Sequence, residues 1–410
     1  MFHGWWIVLT VFTVQLCMVG FMSYGYGLLL VPVEAEFQCG MERMNAGAIA
    51  MSLMGMILPL AVGQLVDRWS VRGLMLIGVA ALVAGLVALS LATDWLVWAI
   101  VMAVLIAAAM TLLGPIVGQA AVARWFTAAR GRALGIAALG TSVGGILMAN
   151  LFAVGFESIG WRSSLRVMAL GVAVVGFPLL VFLFRDHPRD LGLRPDGASG
   201  PVAVDSATPL QLVPARTFLR QVPFWAVSIS LAIFLGIYNV MLHNVPMFAH
   251  EQGADANARS MMMVIICVSG IVGKLAFGWL ADSLPLRLGL WIAIGLTATS
   301  LAIMTTEPEL PLLWASVAVM GLAAGGILPV WGALMAQLFG VANFGRAMGL
   351  QAPLIALGAA SALWVAGRLH DRTGGFVFPF QIFIVLLGFS ALVLLLLRVP
   401  ARAERAIATA

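Results

Sequence analysis

Charge is scarce in this chain, and its placement limits what the protein can be. Asp, Glu, Lys and Arg together make up 10% of the 410 residues, against 62% hydrophobic residues. Lysine occurs once, at position 274; the other 21 strongly basic residues are arginines, and tyrosine and cysteine occur three times each. With a mean hydropathy of +1.06, so little polar surface excludes a water-soluble fold and points to an integral membrane protein. Cys17, Cys39 and Cys267 offer neither a disulfide framework nor a metal-ligand spacing. Cys17 and Cys267 fall inside apolar runs, where a small hydrophobe is the plain reading, and Cys39 falls in a short exposed loop. No Ser/His/Asp arrangement, phosphate loop or HExxH spacing is present, so neither catalysis nor a cofactor or metal is expected. The pI of 9.7 invites a nucleic-acid reading, but the arginines are scattered over loops and form no basic tract. No nucleic-acid partner is expected; lipid is.

What the chain does have is apolar runs of about 20 residues, the length of a membrane-crossing helix and not of alternating barrel strands. Charged and Gly/Pro breaks divide them into twelve spans: 5–31, 44–65, 73–92, 95–122, 132–155, 163–184, 223–248, 258–281, 287–305, 310–338, 345–367 and 376–397. The N-terminal MFHGWWIVLTVF runs into the first span without a small-residue cleavage site and reads as a helix, not a removable signal. The polar stretch 185–222 separates an N-terminal half, 1–184, from a C-terminal half, 223–410. Sorting the arginines by alternate loops puts 15 on one side and 6 on the other. The positive-inside rule then places both termini and the 185–222 linker in the cytoplasm, across a plasma (inner) membrane.

The halves repeat. Gly131-Arg132-Ala133-Leu134-Gly135 returns as Gly345-Arg346-Ala347-Met348-Gly349, a shift of 214 shared by Pro32/Pro246, Pro115/Pro329 and Tyr24/Tyr238. Gly63-x-Leu65-x-Asp67-x4-Arg72 returns as Gly278-x-Leu280-x-Asp282-x4-Arg287, shifted by 215. Five matches in register mark a tandem duplication of a six-helix unit. Twelve helices, this 6+6 repeat and GQLVDRWSVR after the second helix resemble the major facilitator superfamily over the whole chain. The resemblance implies an all-α membrane fold of two pseudo-symmetric six-helix bundles around a midplane cavity opened to each side in turn. Asp67, Arg68 and Arg72 would sit at cytoplasmic helix ends, able to pair with helix termini and charges such as Arg132, so that the contacts hold one state shut. Ordinary topology charges account for their presence but not their spacing. HGWWIVLTVF, SYGYGLLLVPVEAEF, ARWF and RDHPRDLGLRPDG further resemble bacterial relatives of the monocarboxylate transporter and oxalate/formate antiporter branch.

Charged side chains at membrane depth mark function. All 17 acidic residues fall in loops, tails or within about a turn of a predicted helix end. Lys274 does not: it lies eight residues before Asp282, about 12 Å along a helix axis, too deep to snorkel to the nearer interface. Cys267, Gly270, Ile271, Phe277, Gly278 and Ala281 share its stripe, which suits a face against helices or a cavity and not a lipid face. An ammonium there can deprotonate, lean on dipoles and water, or meet an anion that is not part of the protein. The last reading makes Lys274 the anchor of a substrate carboxylate. The narrower resemblance supports it, because that branch carries an arginine for the carboxylate at this point of helix 8. A lysine supplies a point charge without the bidentate fork. Two departures matter. The second cation of oxalate-type exchangers, a helix-11 lysine, is absent, with Gln351 and Ser361 the polar residues there, which favours a monoanion. The helix-1 lysine and helix-8 aspartate of animal monocarboxylate carriers are absent too, with Gly270 at the latter place, so their proton relay does not carry over.

Tyr24 and Tyr238, repeat mates in the first and seventh helices, can face each other across the cavity and donate to a carboxylate; the interfacial aromatic belt is the competing reading, more so for Tyr26. Gln119 and Thr141 can line the N-terminal side or bond helix to helix. Trp331 can form an apolar wall or pack in the core, and His243, near Asn239 and Asn244, can gate, bond an interface or handle protons. The expected function is secondary active transport of a small organic monoanion, foremost a monocarboxylate, by alternating access with proton symport. Anion exchange, and transport of larger aromatic acids, siderophores or drug-like compounds, stay open as alternatives. A non-transporting membrane sensor or scaffold is a more remote third.

Overall fold

The computed structural model describes residues 2–20, 26–38, 40–197 and 213–397. All regular structure among them is helical. Eleven helices are long and apolar enough to cross a membrane, and Gly4–Val19 is a shorter apolar helix. In chain order we label them α1 (Gly4–Val19), α2 (Ile49–Arg68), α3 (Val71–Leu91), α4 (Trp95–Trp125), α5 (Arg130–Met148), α6 (Ser158–Leu183), α7 (Val222–Val245), α8 (Asn257–Ser283), α9 (Leu286–Met304), α10 (Leu310–Phe339), α11 (Val341–Thr373) and α12 (Val377–Leu396). Each falls on one of the twelve spans read from the sequence. Helices win because hydrocarbon offers the backbone no water, so every N–H and C=O must bond within its own segment.

The ends are set locally. Ser70 Oγ accepts from Gly73 N at 3.0 Å to start α3, Asp94 from Leu96 and Val97 N at 2.9 and 3.0 Å to start α4, and Asp255 from Ala258 N at 2.7 Å to start α8. These are N-cap bonds to amides that have no intrahelical partner. Gly160 breaks the helical path near the start of α6 with φ 77°, and Gly374 breaks the path between α11 and α12 with φ 77°. The two glycines are a further pair at the 214-residue shift, and only a residue without Cβ takes that conformation without strain.

The chain divides into two compact units, Met1–Leu212 with Ala342–Ala352, and Val213–Val341 with Pro353–Ala410. In the first, α5 lies backbone to backbone on α1: a Cβ at Gly140 or Gly144 would strike the carbonyl of Phe12 or Leu16. At one end of this unit Phe37, Trp98 and Trp161 pack edge to face, with centroids 6.0–6.5 Å apart. Arg162 lies 4.4 Å over Trp161, bonds Glu36 at 2.8 Å, and donates to the carbonyls of Ser90 and Ala92. In the second unit the tight pair is α8 on α10, where Gly270, Gly273, Gly321 and Gly325 bring the two backbones together. Small residues allow such approach where no hydrophobic effect drives helix association. Phe248, Phe376 and Phe380 cluster at an end of this unit beside His370, which bonds Glu251 at 2.8 Å.

The segment after α6 is docked on the first unit. Asp186 accepts from Ser70 Oγ at 2.5 Å and from Arg72 N at 2.9 Å. Asp196 accepts from the amides of Thr127, Ala128 and Ala129 at 2.8, 2.7 and 3.1 Å, just ahead of α5. RDHPRDLGLRPDG thus places two carboxylates on the electropositive starts of α3 and α5.

Candidate functional site

Lys274 is 5% exposed. The exposed stripe of α8 runs through Val264, Val268, Val272, Leu275 and Trp279, while the opposite side, through Ile266, Ser269, Gly270, Gly273 and Phe277, meets α10 at Gly321, Leu322, Gly325 and Gly326. Lys274 lies between these faces, off the exposed one. A lysine at the centre of a membrane helix costs roughly 3 kcal/mol on insertion scales, so its position calls for compensation. Of the other candidates in the second unit, Tyr238 on α7 is half-buried, as is Cys267, seven residues before Lys274 on α8.

The first copy of the repeated loop motif is resolved atom by atom. The Asp67 carboxylate is fully buried, 3.9 Å from Arg346 Nε, and accepts from Gly345 N at 2.8 Å and Arg346 N at 3.0 Å. It thus occupies the positive end of α11, where amides lack partners. Gly63, a turn earlier on α2, is obliged to be glycine, since a Cβ would strike the Gly345 carbonyl and Gly349 Cα. Arg346, which holds this place, is the repeat mate of Arg132. Arg72 Nε donates to Leu180 O at 2.9 Å, and a second guanidinium nitrogen to Val181 O. Its mate Arg287 donates to Leu397 O at 3.2 Å and lies 4.7 Å from the Trp291 ring centre. In both copies this arginine binds the carbonyls that end the sixth helix of its half, where cations are favoured. Arg68 and Arg132 are exposed, Asp282 is half-buried and Gly278 is buried.

The remaining candidates are spread out. Gln119 and Trp331 are buried, in α4 and α10. Thr141 bonds Ala138 O at 2.9 Å in its own helix. Asn239, His243 and Asn244 each bond the carbonyl four residues earlier in α7, at 2.8, 2.7 and 2.8 Å, with His243 exposed. Tyr24 and Cys39 lie outside the described residues, so the facing of Tyr24 and Tyr238 stays an expectation.

A family model described as "Major Facilitator Superfamily" matches residues 12–308 and 247–410. The chain belongs to the Major Facilitator Superfamily. It is 25% identical over 391 residues to "Monocarboxylate transporter 11" of Mus musculus, which covers 92% of this chain and 84% of that protein. It is 22% identical to the "Uncharacterized MFS-type transporter YcxA" of Bacillus subtilis (strain 168), covering 95% and 94%. Among solved structures the MFS proton:xylose symporter XylE superposes with a TM-score of 0.75 at 15% identity, covering 95% of this chain and 94% of XylE. The relatives agree with the monocarboxylate-transporter-like branch of the superfamily, and the structural likeness with its fold. Within this MFS chain, the Asp67 contact with α11 is the geometry of the loop motif, and Lys274 is a buried basic residue of the second unit.

Proposed function

We propose that this transporter carries a small organic monoanion, a monocarboxylate, by alternating access, with Lys274 as the anchor of the carboxylate and one proton moving with each anion. The carrying observation is the position of Lys274, 5% exposed, between the face of α8 that meets α10 and the exposed face. An ammonium and a monoanion make a neutral pair that hydrocarbon surroundings tolerate, and a phenol adds a donor to the carboxylate while its ring packs the organic part. Relatives named monocarboxylate transporters support this substrate class. Gln119, Trp331 and Tyr24 are assigned to the wall of the same path and His243 to its outer part. The bundles 1–184 and 223–410 are the halves that move, joined by the linker 185–222 on the cytoplasmic side of an inner membrane. In this scheme Asp67, with Arg68, Arg72, Arg132 and Arg346, and its echo at Gly278, Asp282 and Arg287, hold one state closed.

The test is binding and uptake by the purified, reconstituted chain, after a thermal-shift panel of pyruvate, lactate and benzoate selects the anion. Lys274→Ala should weaken binding roughly 30-fold or more, the scale of losing one partner of a buried charge pair, with folding intact by gel filtration. Lys274→Arg should keep part of the activity. Unchanged affinity in Lys274→Ala sinks the anchor role. Uptake should alkalinise the external medium; saturable uptake that ignores pH gradients and uncouplers would replace symport by exchange.

A further inference from the structure

We infer that the furrow where α7, α11 and α12 of the second unit meet is a binding site for one acyl chain of an anionic phospholipid, with Arg216 and Arg220 holding the headgroup. The furrow lies wholly within that unit. Ala232 and Gly236 of α7 cross Gly358 of α11 so closely that a Cβ at Gly236 would stand 2.8 Å from the Gly358 carbonyl oxygen. These small residues bring the backbones together but fill little space, and a cavity of about 260 Å³ remains beside the crossing. Its walls include Trp225, Ile229, Ile233, Leu354, Val365 and Leu386. Ser228, also in the wall, is already satisfied, its hydroxyl donating to Phe224 O at 2.7 Å, and Ser361 sits at the exposed rim. The residues beside the opening, Leu357 and Trp364 on α11 and Val385 and Phe389 on α12, are exposed and apolar. In a membrane protein such a mouth faces hydrocarbon, where a void left unfilled by lipid would forfeit dispersion contacts.

Length and charge select the occupant. From Trp225 to Ile237 the furrow follows α7 for about 18 Å, a little more than one leaflet of the hydrocarbon core, roughly 15 Å. Trp225 marks the headgroup level. It is 39% exposed, and its indole N–H donates to Leu219 O at 2.8 Å, the amphipathic use that places tryptophan at membrane interfaces. That bond ties the turn 215–220 to the end of the furrow. Arg216 and Arg220 on this turn are exposed, and neither pairs with an acidic group among the described residues. Residues 213–250 contain no Asp or Glu. Two unpaired guanidiniums at the mouth complement a phosphate, which the arginine fork binds bidentately. Each cation near a membrane surface favours an anionic lipid roughly fivefold.

The experiment reconstitutes the purified full chain in phosphatidylcholine nanodiscs containing a trace of phosphatidylglycerol with a diazirine in its acyl chain. A parallel sample carries phosphatidylcholine with the same diazirine chain. After illumination, labelled peptides are mapped by mass spectrometry. Labels should concentrate on 225–237, 354–365 and 383–386, with the phosphatidylglycerol probe ahead by roughly tenfold or more. Arg216→Gln combined with Arg220→Gln should erase that preference; both positions are exposed, so the fold is kept. Ser361→Phe, at the rim, should fill the furrow and lower labelling there by either probe. Labels spread evenly over the exposed faces of α3, α6 and α12, equal labelling by the two probes, or a preference that survives the double variant overturns the inference. So does a dimer in native mass spectrometry with the furrow unlabelled, which would give this face to a second copy of the chain. None of these readouts involves Lys274, so their failure leaves the anchor reading where the uptake assay puts it.

Discussion

His187, Glu36 and Asp67 carry the electrostatics that can be tested one residue at a time. Burial, and then the positive charges of Arg124 and Arg189, hold the His187 imidazole below its usual range. The unfolded chain therefore takes up the proton first, and stability falls as pH drops through about 6.5. Melting temperatures measured from pH 8 to pH 5 should show this fall, and His187→Gln should flatten that part of the curve. An unchanged slope would remove His187 from the acid sensitivity. Glu36 acts lower on the scale. The hydrogen bond from Arg162 holds its carboxyl below the usual range, so its contribution is full above about pH 4.3 and is lost as pH falls further. At 46% side-chain exposure the pair is worth at most about 1 kcal/mol. Asp67 is different because it is buried on α11. Asp67→Ala should cost at least about 1 kcal/mol, the scale of a lost helix cap, and should speed hydrogen exchange at the amides of Gly345 and Arg346. Exchange unchanged at those two amides would show that the cap does not hold α11.

At the scale of helices, glycines separate into those that are contacts and those that are not. Gly325 presses on the Gly270 carbonyl, so Gly325→Val must push α8 and α10 apart; a loss of about 1–3 kcal/mol is expected, as for other overpacked interiors. Gly171 in α6 has nothing within 4 Å of where a Cβ would stand. Gly171→Ala should be neutral or stabilising by up to about 1 kcal/mol, because alanine is the better helix former. Thermal unfolding of the two variants side by side checks both; equal effects would mean that the α8–α10 approach is not tight. The sequence shows glycines in both helices and cannot say which is the contact, since that depends on a partner more than 50 positions away. Gly63 is the exception, legible through its motif, but its reason, the backbone of α11, is visible only in the fold.

For the whole molecule, the arginine bias is a statement about sidedness. With Ser206→Cys in a chain lacking its native cysteines, a membrane-impermeant maleimide should label intact cells only after permeabilisation. Labelling of intact cells would invert the topology. The first part of the central stretch 185–222, expected as the linker, is docked on the first unit. Asp186 and Asp196 seat residues 185–197 on the starts of α3 and α5. Asp196→Ala should loosen that seat and increase protease cutting near Gly197 without loss of the helices by circular dichroism.

What the sequence determined by itself is what depends on nearest neighbours and on solvent. Apolar runs long enough for hydrocarbon specify twelve helices, arginine placement specifies an expected sidedness, and the 214-residue repeat specifies a duplicated six-helix unit. It also exposed Lys274, because a charge at that depth stands out without any partner being known. Tertiary structure decided the pairings. Asp67 meets residues 345 and 346, and Arg72 and Arg287 meet the closing carbonyls of the sixth and twelfth helices. The physical reason is that helix propensity and burial are local, whereas a hydrogen bond or a charge pair needs two groups brought to within a few ångströms. For these pairings the packing of helices distant in sequence does that.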